Sequence, residues 1–143
     1  MKKLKFKKFT ALILGLFLTV FMVPINAYAD SGTEMSATIE AYHGRGYVDG
    51  SLKYNLTPGN VSLVIHDTDK LINGKYVNVD GLKLKITLKD SSGRSWGTVT
   101  QVPDDNSVFR FKIKNAGKYS LRVEILNGSG KYKIRGVMHD HYY

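Results

Sequence analysis

The sequence predicts an all-β protein: one small antiparallel β-sandwich, jelly-roll-like, with eight to nine strands, set behind an N-terminal export signal. Short runs in which apolar and polar residues alternate recur along the chain after residue 36, as half-buried strands require. Gly, Asn, Asp and Ser separate these runs. Beyond the signal, no window of about 11 residues keeps a helical apolar period free of Gly or Pro.

Residues 1–29 read as a cleavable signal peptide. Lys2, Lys3, Lys5, Lys7 and Lys8 precede an apolar run from Phe9 to Val23, and Ala27-Tyr28-Ala29 places small residues at the −3 and −1 positions of a peptidase site. The apolar run is shorter than the roughly 20 residues that span a bilayer. Residues 30–36 read as a flexible leader and residues 37–143 as the sandwich. Removing the signal takes five of the 21 basic side chains and none of the 12 acidic ones, leaving sixteen against twelve and a net charge of +4 instead of +9. That is an ordinary solubility charge, and it argues against nucleic acid as the partner. The chain has no cysteine, so an exported domain of this size must fold on packing alone. The lysine-rich signal and the missing cysteine suit a Gram-positive bacterium.

The strands are taken in chain order. Ala37 to Tyr42, Tyr47 to Tyr54, Val61 to His66 and Lys75 to Val79 are the first candidates. The clearest run is Leu82 to Lys89, where Leu82, Leu84, Ile86 and Leu88 share one face and Lys83, Lys85, Thr87 and Lys89 the other. Ser95 to Val102 is next, then Phe109, Phe111 and Ile113 against Arg110, Lys112 and Lys114. Tyr119, Leu121, Val123 and Ile125 alternate with Ser120, Arg122 and Glu124, and Lys131 to Met138 closes the domain. Asp90-Ser91-Ser92-Gly93, Asn115-Ala116-Gly117 and Asn127-Gly128-Ser129-Gly130 are hairpin candidates, because their residues enter left-handed conformations cheaply.

The stretch from Phe109 to Ile134 carries an aromatic-rich strand, Ala116-Gly117 at a turn, Tyr119 and Val123 in the next strand, and Ser129-Gly130 with Tyr132 opening the last. Over these 26 residues the chain resembles the C-terminal half of the bacterial pre-peptidase C-terminal domains. The resemblance implies a secreted β-sandwich of the kind that accompanies hydrolases and aids secretion, binding or stability. It implies no catalytic residue.

Catalytic patterns are missing: there is no Cys, no Gly-x-Ser-x-Gly, no His-Glu-x-x-His and no phosphate-cradling Gly loop. A non-enzymatic role is therefore expected, with no cofactor, although calcium or zinc are the ions to consider. His139 and His141 stand one residue apart, as two imidazoles on one ion would, with His43 and His66 as possible third ligands. Asp67 and Asp69, and Asp104 with Asp105 and Asn106, offer hard oxygens of the kind calcium takes, and serve equally as turn residues. Tyr42, Tyr47, Tyr54 and Tyr76, with Tyr142, Tyr143 and Trp96, could form an aromatic platform for sugar rings. Lys83, Lys85 and Lys89 form one basic stripe, and Arg110, Lys112 and Lys114 a second. If the two strands were neighbours, the joint face would suit anionic wall polymers.

The functional expectation is a secreted, extracellular or cell-wall-associated protein that binds a wall or matrix polymer without catalysis. After signal removal it has no transmembrane segment. The alternatives are a bacteriocin-like effector or inhibitor acting on a target-cell surface and, third, a metal-dependent hydrolase centred on His139 and His141.

Overall fold

A computed structural model describes residues 32–104 and 107–141. The signal segment therefore lies outside the described residues, as do Asp105, Asn106, Tyr142 and Tyr143. Among the described residues there are ten strands: β1 (Thr33–Ala41), β2 (Gly46–Asp49), β3 (Tyr54–Leu56), β4 (Gly59–Ile72), β5 (Lys75–Asn78), β6 (Leu84–Asp90), β7 (Ser95–Gln101), β8 (Ser107–Ile113), β9 (Gly117–Ile125) and β10 (Gly130–His139). They form two five-stranded antiparallel sheets. In the first, β1, β10 and β4 lie side by side, and β8 and β5 share the far edge of β4. In the second, β2 and β3 share one edge of β9, followed by β6 and β7.

The pairing is nested. β1 pairs with β10, β2 and β3 with β9, β4 with β8, and β6 with β7. A single long antiparallel ribbon, folded over on itself with its tip at the β6–β7 turn, gives this order, which is the jelly-roll arrangement. β5 is a short excursion that returns along β4.

Alternation carries the core. Leu84, Ile86 and Leu88 from β6 are fully buried, facing Val61, Leu63 and Ile65 of β4 and Phe109 and Ile113 of β8 across the sandwich. Tyr119 starts the inward row of β9, and its hydroxyl donates to the Asn115 carbonyl at 2.6 Å, fixing the entry from β8. Burial raises the Tyr119 phenol above its ordinary pKa, and the Asp90 carboxylate adds to the shift.

Three departures from the sequence reading have physical causes. β1 begins at Thr33, because β10 runs on past Gly136 and its Met138 pairs with Thr33. The expected strand from Tyr47 to Tyr54 breaks into β2 and β3 where Gly50 turns and its N–H donates to the Leu121 carbonyl at 2.7 Å. The turns at Asn115–Gly117 and Asn127–Gly130 are not hairpins: β8 and β10 belong to the first sheet and β9 to the second, so both turns arch from one sheet to the other. Alternation reports which side of a strand is buried, and an arch leaves that pattern untouched.

β4 is longer than expected because of a β-bulge. Gly136 of β10 pairs with Ile65 and Arg135 with Asp67, leaving His66 as the extra residue. Before it, Val61, Leu63 and Ile65 face the core; after it, Thr68 and Lys70 take the inward side opposite Ile134 and Tyr132. Without the extra residue, Asp67 and Asp69 would turn into the apolar layer. The bulge keeps both carboxylates on the outer face, where Arg135 meets them.

The β6–β7 turn is built on Asp90. One carboxylate oxygen accepts from the Ser92 N–H at 2.9 Å, the Ser92 hydroxyl at 2.6 Å and the Arg94 N–H at 3.0 Å. The other accepts from the Trp96 indole N–H at 2.8 Å. Hydrogen bonding from Ser92 and Trp96 lowers the Asp90 pKa from 3.8 to about 2. Its stabilisation is therefore complete above the ordinary carboxylate pKa and drains away as pH falls through the window from 3.8 towards 2. In acid unfolding, Asp90→Asn should be less stable than the parent at neutral pH, and the gap should narrow below pH 3.8 and close as pH falls to about 2. A gap that is constant with pH would show that the charge on Asp90 has no part in holding the turn.

Candidate ligand-binding surface

At one end of the first sheet, three connections come together. The β1–β2 turn at His43-Gly44 and the β4–β5 turn at Asn73-Gly74 each place two consecutive residues at positive φ, 50° and 85° in the first and 50° and 78° in the second. That is the requirement of the tight two-residue turns that Asn-Gly meets at least cost. The β9–β10 connection lies beside the first of them, with the Gly44 N–H donating to the Ser129 hydroxyl at 3.2 Å.

These tips hold aromatic and aliphatic side chains out of the core. Tyr42 is 71% exposed and Tyr76 41%, with Ile72 and Val77 also exposed. Beside Tyr42, a groove of about 380 Å³ is lined by Glu40, His43, Ser129 and Lys131. Tyr42 donates to a Glu40 carboxylate oxygen at 3.3 Å. Lys131 and Lys133 are two residues apart on the outer side of β10, about 6.7 Å apart along the strand. The Lys133 ammonium lies 5.9 Å from the Tyr76 ring, and that of Lys70 lies 5.6 Å from the Tyr132 ring. Among the described residues, Lys70, Lys75, Lys131 and Lys133 make no ion pair.

The sequence-predicted residues are distributed differently. Tyr42 and Tyr76 stand at this end, on either side of β10 and β4. Tyr47 lies on the outer face of the second sheet with the Arg122 guanidinium 3.9 Å from its ring centre. Tyr54 is buried at 3% exposure, and burial pushes its pKa up to about 12, so it cannot serve as a platform. Trp96 is half-buried, edge-on to Tyr119 at 6.3 Å, with Arg94 5.3 Å from its ring.

The two basic stripes do not join. Lys83, Lys85 and Lys89 lie at or beside β6 in the second sheet, whereas Arg110 and Lys112 lie on β8 in the first. Lys85 pairs with Glu124 at 3.0 Å and Lys89 with Asp49 at 3.1 Å, while Arg122 reaches Asp49 at 3.6 Å. On the second sheet's outer face Lys85, Lys89 and Arg122 thus share the two carboxylates of Asp49 and Glu124. Asp67 and Asp69 share the Arg135 guanidinium at 3.2 and 3.0 Å. Asp140 accepts from the Thr57 N–H at 2.6 Å and hydroxyl at 2.8 Å, and the His141 ring nitrogen lies 3.1 Å from that hydroxyl. Residues after β10 therefore clasp the β3–β4 connection, at the end of the sandwich away from Tyr42. His139 stands opposite Ser62 on the outer face of the first sheet. Among the described residues, no group of three or more His, Asp or Glu side chains is placed to hold a metal ion.

Sequence reasoning passed over Lys131, Lys133 and the Asn73-Gly74 turn. The turn had a clear signal, an Asn-Gly pair between two apolar-rich runs. No family model matches the chain, and no curated protein matches it either.

Proposed function

We propose that the chain is an exported, non-catalytic binding module that holds an anionic cell-surface polymer against the Tyr42–Tyr76 end of its first sheet. One observation carries the reading: exposed tyrosines coincide there with lysines that make no ion pair among the described residues, whereas Lys85 and Lys89 of the opposite sheet are paired with Glu124 and Asp49. Lysine ammonium groups bind phosphate or carboxylate as point charges, and tyrosine rings add an apolar face for polyol or sugar carbons. The pre-peptidase C-terminal resemblance, the signal-like segment 1–29 and the net charge of +4 on residues 30–143 support the same reading. A binding site drawn from loops at one end of a rigid sandwich is an economical design, because the scaffold fixes the loops.

The test is co-sedimentation with Gram-positive cell walls, with and without their teichoic acids, across a salt series. Binding through lysines should be strongest at low salt and fall as salt screens it. The double variant Lys131→Glu, Lys133→Glu should lower retention by about tenfold or more, since each change reverses a charge at the contact. Undiminished retention of that variant places the contact elsewhere. Failure of the parent chain to sediment with any wall preparation ends the proposal.

A further inference from the structure

We propose that a groove across the other half of the first sheet is a second ligand site, built for a neutral saccharide. The groove has a volume of about 480 Å³, within the range that small-molecule sites occupy. It crosses β1 and β10 to the bulge in β4, from Leu52 at one end, past Glu34, Ser36 and Val137, to His66 and Arg135.

Three properties select the ligand class. The first is charge: Arg135 is opposed by Asp67 and Asp69, and Glu34 adds a third carboxylate, so the groove repels the anions that the lysine end would attract. The second is a prepositioned donor. Asp67 and Asp69 both take Nη2 of Arg135, whose side chain is 48% exposed, and the two ion pairs restrict the guanidinium and its N–H groups. Little side-chain freedom is then lost when a hydroxyl accepts from them. The third is the alternation of apolar and polar surface: Leu52, 45% exposed, and half-buried Val137 offer apolar contacts between acceptors at Glu34 and Ser36. A pyranose presents the same alternation, a C–H face ringed by hydroxyls. An extended peptide would instead lie along a strand edge for its backbone; β1 is such an edge, but the groove runs across it to β10 and the β4 bulge, strands paired on both sides.

The site is independent of the lysine end, so each can fail alone. The experiment is a titration of the ¹⁵N-labelled chain with neutral oligosaccharides of glucose, galactose and N-acetylglucosamine, following backbone amide shifts. At least one sugar should shift Ser36, Gly136 and Val137 saturably. Leu52→Ala and Glu34→Gln should each weaken that sugar about tenfold, and Lys131→Glu, Lys133→Glu should leave it unchanged. Leu52 and Glu34 are exposed, so neither substitution disturbs the core. The proposal is overturned if no sugar moves these amides, if both groove variants bind like the parent, or if the amides respond only to anionic polymer.

Discussion

Gly136→Ala is expected to destabilise the fold by about 2–3 kcal/mol, near the upper end for added volume in a packed interior. A β-carbon on Gly136 would collide with the Val64 carbonyl oxygen and lie 3.2 Å from the Ile65 δ-carbon. The first contact is with backbone in the middle of a three-strand array, where β4 is held by β10 on one side and β8 on the other. Relief requires β10 and β4 to separate beside the bulge. The midpoint of thermal unfolding should drop by about 10 °C or more, given roughly 4–8 °C per kcal/mol in a domain of this size. A drop of less than about 2 °C would mean that the β4–β10 contact at the bulge is looser than its register implies.

Phe109→Ala should cost more, about 3–5 kcal/mol, because it removes a ring and leaves a cavity. Phe109 is completely buried and stands opposite Leu63. Both strands are pinned by their ladders, so the walls can relax only partly. Denaturant unfolding of the parent, Phe109→Leu and Phe109→Ala checks this: Leu should recover most of the loss, since it refills much of the space. Equal losses for Leu and Ala would point to an aromatic contact specific to Phe109 in place of volume.

These residues also show what the sequence disclosed. The inward rows of β6, β8 and β9 were legible, because a period of two in which every second residue is Leu, Ile, Val, Phe or Tyr has one physical solution, burial of one face. The neighbours of those rows were not legible. Nothing local distinguishes the hairpin at Asp90–Arg94 from the arches at Asn115–Gly117 and Asn127–Gly130, since all three join strands whose apolar faces meet the same core. The second half of β4 was hidden for a different reason: at His66 the alternation changes parity, and a reader tracking period two stops there. Tertiary pairing with β10 carries the strand onward.

At the candidate surface, four tyrosines looked equivalent in sequence, and burial separates Tyr54 from Tyr42 and Tyr76. The lysines of β6 looked like a ligand face until Asp49 on β2 and Glu124 on β9 were seen to neutralise them. Those partners come from strands remote in sequence, so only the folded pairing reveals them. Lys131 and Lys133, in an equally ordinary alternating run, stand opposite Glu40 and Asp69, but Tyr42 donates to Glu40 and Arg135 holds Asp69, and neither lysine forms an ion pair among the described residues.

The nested ribbon sets a timetable for folding. β1 pairs with β10 alone, Thr33 against Met138 and Ala41 against Gly130, so the earliest strand to appear must wait for the last. Closing so long a loop costs entropy before any contact repays it, and domains dominated by such distant pairings form in milliseconds to seconds instead of microseconds. Under the export proposed above, that delay would be useful: β1 could not find its place in the sheet before translocation while β10 was still being made. The delay carries a hazard, since β1 and β4 wait with open hydrogen-bonding edges until β10 arrives to fill the space between them.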